Sequence, residues 1–179
     1  LRSSDLVERI AESKLALFLN GGFVSDQASP VALRSLGPAA VWYEAALAAG
    51  ALDADRAERL RRILLLFAHA SAGDALFPCH QNYRPPHDPM SIRNWTVAEQ
   101  YSTLFGTPNF QTDVYYNLGL FGAVFADHPE ATAWREDAAR QLDQQLDFHF
   151  HAGGVYTESI GYFVHLFHNM LHLASVLRR

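Results

Sequence analysis

A single cysteine, Cys79, leaves the chain without any internal disulfide. That leaves the redox compartment open. No uninterrupted apolar run approaches the roughly 20 residues of a membrane-spanning helix, and mean hydropathy is -0.06. A transmembrane segment and a membrane partner are therefore not expected. Nor is there a basic block beyond Arg59, Arg61 and Arg62, which fit the wet face of a helix. With a formal net charge of -5 and a pI near 6.0, general nucleic-acid binding is disfavoured. The same balance means that an acidic polymer would need local cations, because the field of the whole protein does not attract it.

What is present is ordinary for a folded globular protein: 179 residues, 49% hydrophobic and 18% charged. That is enough for a single domain, 1–179, with a real core, and it excludes wholesale disorder. No signal peptide is visible. The chain begins at Leu1 rather than Met and stops at Leu177-Arg178-Arg179 with a helical pattern still running. The expected reading is a mature or excised piece of a longer protein.

Almost the whole chain reads as helix, with no convincing strand pattern. The first expected helix covers 4–19, with Ser4-Asp5 as its cap. A second covers 38–49, with Pro38 in its first turn and Gly50 after its end. A third spans 53–72, where Leu60, Ile63, Leu64 and Phe67 recur at helical spacing and Arg59 and Arg62 fall off that face. Pro78, Pro85, Pro86 and Pro89 then forbid a regular helix over 74–93. A loop of that length inside a compact domain is often functional. Helices are expected again over 94–105, 110–126, 129–148 and 160–178. In the fourth of the five segments from 53 onward, Trp134, Ala138, Leu142 and Leu146 repeat every four residues. In the last, Phe163, Leu166, Phe167, Met170, Ala174 and Leu177 form the apolar face. Short links between helices suggest antiparallel hairpins that curve into a ring or part of one, with polar loops gathered at one end.

Gly153-Gly154-Val155-Tyr156-Thr157-Glu158-Ser159-Ile160-Gly161-Tyr162 is the most informative segment. It delivers Tyr162 to the start of a helix, where backbone N–H groups and the helix dipole favour an anion. Tyr162 is thus a candidate to give or take a proton, or, more plainly, a tyrosine closing a helix corner. Asn109, in Thr107-Pro108-Asn109-Phe110-Gln111-Thr112-Asp113, offers an amide that can donate to a carboxylate or an enolate; it also suits a helix cap. His165, His168 and His172 lie on one helix, opposite its expected apolar face. His168 and His172 have the spacing of paired metal ligands but lack the intervening glutamate and a third partner, so no metal site is assigned. His149 and His151 read as turn residues. Cys79-His80 lacks a second soft ligand for zinc, and a buried thiol accounts for it. Trp95 could stack on a sugar or serve the core. Arg84 or Arg93 could pair with a carboxylate.

Together, the glycine–glutamate–Gly-Tyr segment and the asparagine preceding Tyr162 by 53 residues resemble the heparinase II/III-like and alginate-lyase-like polysaccharide lyases, over roughly residues 94–177. The resemblance implies an all-α, incomplete α/α toroid followed by β-sandwich domains. It implies β-elimination of a uronic-acid-containing polysaccharide, with Tyr162 as acid, or acid and base, and Asn109 neutralising the substrate carboxylate. Trp95, Arg93, Gln111, Glu158, His165 and His80 are candidate substrate contacts. No cofactor is implied, the partner is an acidic polysaccharide or oligosaccharide, and the location is periplasmic or secreted. The chain departs from the family at Phe110, where histidine often follows the asparagine, and it lacks the later β-rich part that supplies a further histidine. His80, His149 or His165 would substitute, or a missing β-sandwich domain or second chain would supply it. Two alternatives stand beside this reading: a glycoside hydrolase using Glu158 and Asp113, and a non-catalytic carbohydrate-binding helical module.

Overall fold

The computed structural model describes residues 3–20, 34–72, 108–149 and 160–178, with side chains for 4–20, 34–72, 112–147 and 160–178. Among the described residues all regular structure is helical, in six helices: α1 (Ser3–Leu19), α2 (Leu36–Ala48), α3 (Ala54–Ala72), α4 (Pro108–Val124), α5 (Ala131–His149) and α6 (Ile160–Leu177). The expected helix over 94–105 and the proline-rich loop over 74–93 lie outside the described residues.

Side-chain pairings fix the direction of each helix. Arg56 meets Asp5 and Glu8 while Arg59 meets Glu12, so α1 and α3 run the same way. Gly37 meets Asn117 and Tyr43 meets Phe125, so α2 and α4 run parallel. His165 meets Asp113 and His172 meets Tyr116, so α6 runs parallel to α4 as well. In contrast, Thr112 meets Gln145 and a Cβ on Gly122 would meet Ala131, which makes α5 antiparallel to α4. The short link between Ala48 and Ala54 turns α3 back on α2. The N-terminal ends of α2, α4 and α6 consequently point toward the same end of the molecule.

Helix α4 is the axis of the assembly. It packs on α2, α3, α5 and α6, and every residue from Thr112 to Gly122 is buried. A helix enclosed on all sides must be apolar all round or carry paired polar groups. Val114, Leu118, Leu120 and Phe121 satisfy the first condition; Thr112, Asp113 and Asn117 satisfy the second. The neighbours come close because α4 carries glycines. A Cβ on Gly119 would stand 2.6 Å from Leu173 Cδ1, and one on Gly122 would stand 2.7 Å from the Ala131 carbonyl oxygen. Phe67, Phe121, Phe125 and Trp134 are fully buried around this axis. Each such side chain contributes about 1.5–3 kcal/mol by leaving water.

Helix boundaries follow local chemistry. Helix α2 begins at Leu36, two residues before the expected start, because Pro38 needs no hydrogen-bond donor within the first turn. Gly50 ends it with φ of 63°, a left-handed conformation that glycine adopts without a Cβ clash. The inward face of α3 is as expected: Leu60, Ile63, Leu64 and Phe67 are buried.

Two faces differ from the expected ones. Leu146 is 41% exposed, whereas Trp134, Ala138 and Leu142 are buried. A strict four-residue repeat gains about 40° on each turn, so the fourth member has rotated out of the core. Gln141 and Gln145 take the inward positions instead. On α6 the buried residues are Leu166, Asn169, Met170 and Leu173, while Phe167 is 44% exposed. His165 and His172 therefore lie on the α4 side rather than opposite the packed face, and only His168 of the three is exposed. The physical reason is Asp113 and Tyr116, which give those imidazoles polar partners at the seam.

By length and composition α6 could cross a membrane: its 18 residues have a hydropathy of 1.2. The absence of an unbroken apolar run thus did not exclude a span on average hydropathy. Here the helix packs along α4, with Asn169 and two histidines engaged in polar contacts, an arrangement costly in lipid.

Candidate functional site

The end shared by the α2, α4 and α6 N-termini carries the densest polar chemistry among the described residues. At its base is Asp113, on the second turn of α4 and 2% exposed. Its Oδ1 accepts from His165 Nε2 at 2.8 Å and from Asn169 Nδ2 at 3.2 Å, both on α6. Its Oδ2 pairs with Arg34 Nε from the residues preceding α2. Three segments far apart in sequence therefore converge on one carboxylate. A carboxylate buried at that depth needs such partners to offset its desolvation.

Local backbone geometry supports the arrangement. Ser35, between Arg34 and α2, has φ of 73°, uncommon for a residue with a side chain. This reversal lets the chain present Arg34 to Asp113 and still enter α2. The first turn of α2 is then capped from α4: Gly37 N–H donates to Asn117 Oδ1 at 2.7 Å, and Asn117 Nδ2 donates to the Asp113 carbonyl at 2.7 Å. One turn further along the seam, Tyr116 Oη lies 2.6 Å from His172 Nδ1. Burial, with the Asp113 carboxylate adding to it, pushes the Tyr116 phenol up to about 12.

Above Asp113 opens a cleft of about 250 Å3 lined by Arg34, Gly161, Tyr162 and His165. Tyr162, in the first turn of α6, is 50% exposed. The His165 side chain is 39% exposed, so its ring bridges the buried carboxylate and the opening. A larger groove of about 520 Å3 lies between α1 and α2, lined by Val41, Trp42, Ala45, Ala46 and Ala49. It is mostly alanine surface without an acid–base pair, so size alone does not make it the better candidate.

The structure thus brings together two of the sequence-derived candidates, Tyr162 and His165. Asn109 is the second residue of α4, one helical turn before Asp113, and Gln111 is the fourth; the side chains of Asn109 and Gln111 lie outside the described residues. Trp95, Arg93, Glu158 and His80 lie outside them entirely, as do Arg84, Cys79 and His151. Among the described residues no group of three or more metal-ligating side chains is assembled. Asp113, proposed above as one carboxylate of a hydrolase pair, is buried with both oxygens engaged, so it is poorly suited to activating water for hydrolysis.

Sequence reasoning missed Arg34 and Asn169. Neither sits in a motif. The signal available for Asn169 was a polar residue at helical spacing from His165, four positions along. Arg34 offered none, because only the chain reversal at Ser35 brings it to the cleft. No protein-family model, curated protein or solved structure matches the chain.

Proposed function

We propose that this chain is the helical part of a polysaccharide lyase that cleaves a uronic-acid-containing polymer by β-elimination, with Tyr162 as acid/base and Asn109 neutralising the substrate carboxylate. The observation carrying this reading is the cleft in which Tyr162 and Arg34 stand over a buried, fully partnered Asp113. Three parallel helices direct their N-terminal ends toward the same end of the molecule, and helix dipoles so placed favour an anion there although the whole chain is acidic. Dipoles in that arrangement support the binding of an acidic polymer. We further read the two sets of parallel helices, α1 with α3 and α2 with α4 and α6, as rows of an incomplete α/α toroid belonging to a longer periplasmic or secreted protein.

The chemistry matches the groups. A proton α to a carboxylate becomes removable when donors or cations take up the developing enolate charge. Asn109, from the first turn of α4, and Arg34, at the cleft wall, are suited to that task. A phenol at the cleft edge can protonate the departing O4 oxygen. Nothing in the scheme calls for a cofactor.

Tyr162→Phe tests the assignment. The hydroxyl lies on a half-exposed ring, so stability should change by about 0.5 kcal/mol or less. Elimination, followed as the ultraviolet absorbance of unsaturated ends on alginate, heparan sulfate, chondroitin and hyaluronan, should fall by about 100-fold or more. Turnover retained in the folded variant refutes the role of Tyr162.

A further inference from the structure

Resting on the lyase reading of the cleft, we infer that His165 is the group that removes the C5 proton, through its Nδ1, and that Asp113 is the positioning residue that leaves that nitrogen unprotonated. The argument is one of hydrogen-bond direction. A neutral imidazole carries one donor and one acceptor nitrogen. His165 Nε2 stands 2.8 Å from Asp113 Oδ1, and a carboxylate only accepts. Nε2 therefore holds the proton, and Nδ1 keeps its lone pair. Asn169 Nδ2, 3.2 Å from the same oxygen, is a second donor. The 3.3 Å separation of Asn169 Nδ2 from His165 Nε2 is accordingly two donors converging on one acceptor.

The carboxylate cannot turn away. Arg34 holds Oδ2, α6 holds Oδ1 twice, and the group is 2% exposed. The ring it orients reaches the cleft with 39% of its side chain accessible. Tyr162 lies three residues before His165 on α6, so their Cβ atoms are about 5–6 Å apart on one face. Base and acid then stand on the same side of a bound sugar.

The step balances within these groups. His165 Nδ1 takes the C5 proton, the C5–H electron pair becomes the C4–C5 π bond, the C4–O4 bond breaks, and O4 takes the Tyr162 proton. The site is left with an imidazolium and a phenolate, which solvent resets by returning the proton from ring to phenol. On this account the base comes from the same helix as the acid, and no histidine from a β-rich part is required for the chemical step.

The test combines a spectroscopic readout with kinetics on the full chain. In 15N-imidazole NMR, neutral His165 of the unaltered protein should carry its proton on Nε2. Asp113→Asn should move it to Nδ1, because the introduced amide can donate to Nε2. With the polymer that gives unsaturated ends, Asp113→Asn and His165→Gln should each lower kcat about 100-fold or more while KM stays within about threefold. Asp113→Glu should recover part of the loss. A proton found on Nδ1 in the unaltered protein overturns the inference without any variant having to fold. A His165→Gln protein that turns over like the unaltered one removes the base assignment and leaves the lyase reading standing. An unaltered chain that eliminates none of the four polymers removes both.

Discussion

Asn117 is a polar side chain in the interior of an enclosed helix, 1% exposed. Its oxygen receives the Gly37 N–H and its nitrogen donates to the Asp113 carbonyl. One residue therefore caps α2 and braces the turn of α4 that carries Asp113. Replacing it with alanine removes the acceptor from a buried backbone donor, a change that costs about 1–3 kcal/mol. Urea unfolding of Asn117→Ala should show a loss in that range with an unchanged slope against denaturant. On the proposed lyase reading, elimination activity should weaken in parallel as Asp113 loses its register. At this scale the place of Tyr162 in the first turn of a helix was legible from its glycine-rich approach. Arg34 and Asn169 were not, because their meaning depends on a carboxylate 79 and 56 residues distant.

Helices read well where one face is apolar and the other charged. Helix α3 is such a case, with Leu60, Ile63, Leu64 and Phe67 inside and Arg59 and Arg62 outside. Reading failed where the helix met polar partners. The packed face of α6 is turned toward Asp113 and Tyr116, leaving Ile160, Val164, Phe167 and Leu171 exposed among the described residues. On α5 the same rotation separates Leu142, 8% exposed, from Leu146, 41% exposed. Leu142→Ala should therefore cost about 2–5 kcal/mol, whereas Leu146→Lys should change stability by about 0.5 kcal/mol or less. Thermal melts of the two variants check the assignment; equal losses would mean that both leucines are core.

Across the whole molecule, direction matters more than contact. Because α2, α4 and α6 run the same way, their N-termini add at one end, and Arg34, Asp113, Tyr162 and His165 meet there. The same close packing raises two buried phenols above the ordinary tyrosine value. Tyr116 is pushed up to about 12, first by burial and then by Asp113. Tyr43 is raised mainly by burial, with Arg61 opposing and Glu58 and Asp127 adding. A phenol that keeps its proton longer in the folded state stabilises fully below the ordinary tyrosine value near 10 and loses that contribution as pH climbs through the folded value. Stability should accordingly fall between about pH 10 and 12, by about 2 kcal/mol from Tyr116. Denaturant midpoints measured across that window should drop, and Tyr116→Phe should flatten the decline. A midpoint unchanged between these limits would show that the phenol is open to solvent.

The sequence by itself determined which described segments are helical and which side of α3 faces inward, because helix period, glycine stops and first-turn proline act between near neighbours. It also singled out Tyr162, whose position follows from its own helix start. Only the tertiary structure decided that α6 turns His165 toward α4, that Arg34 reaches Asp113, and that Tyr162, His165 and Arg34 share one opening. Those outcomes depend on satisfying a buried carboxylate with donors from two distant segments, and no local pattern records which donors will arrive.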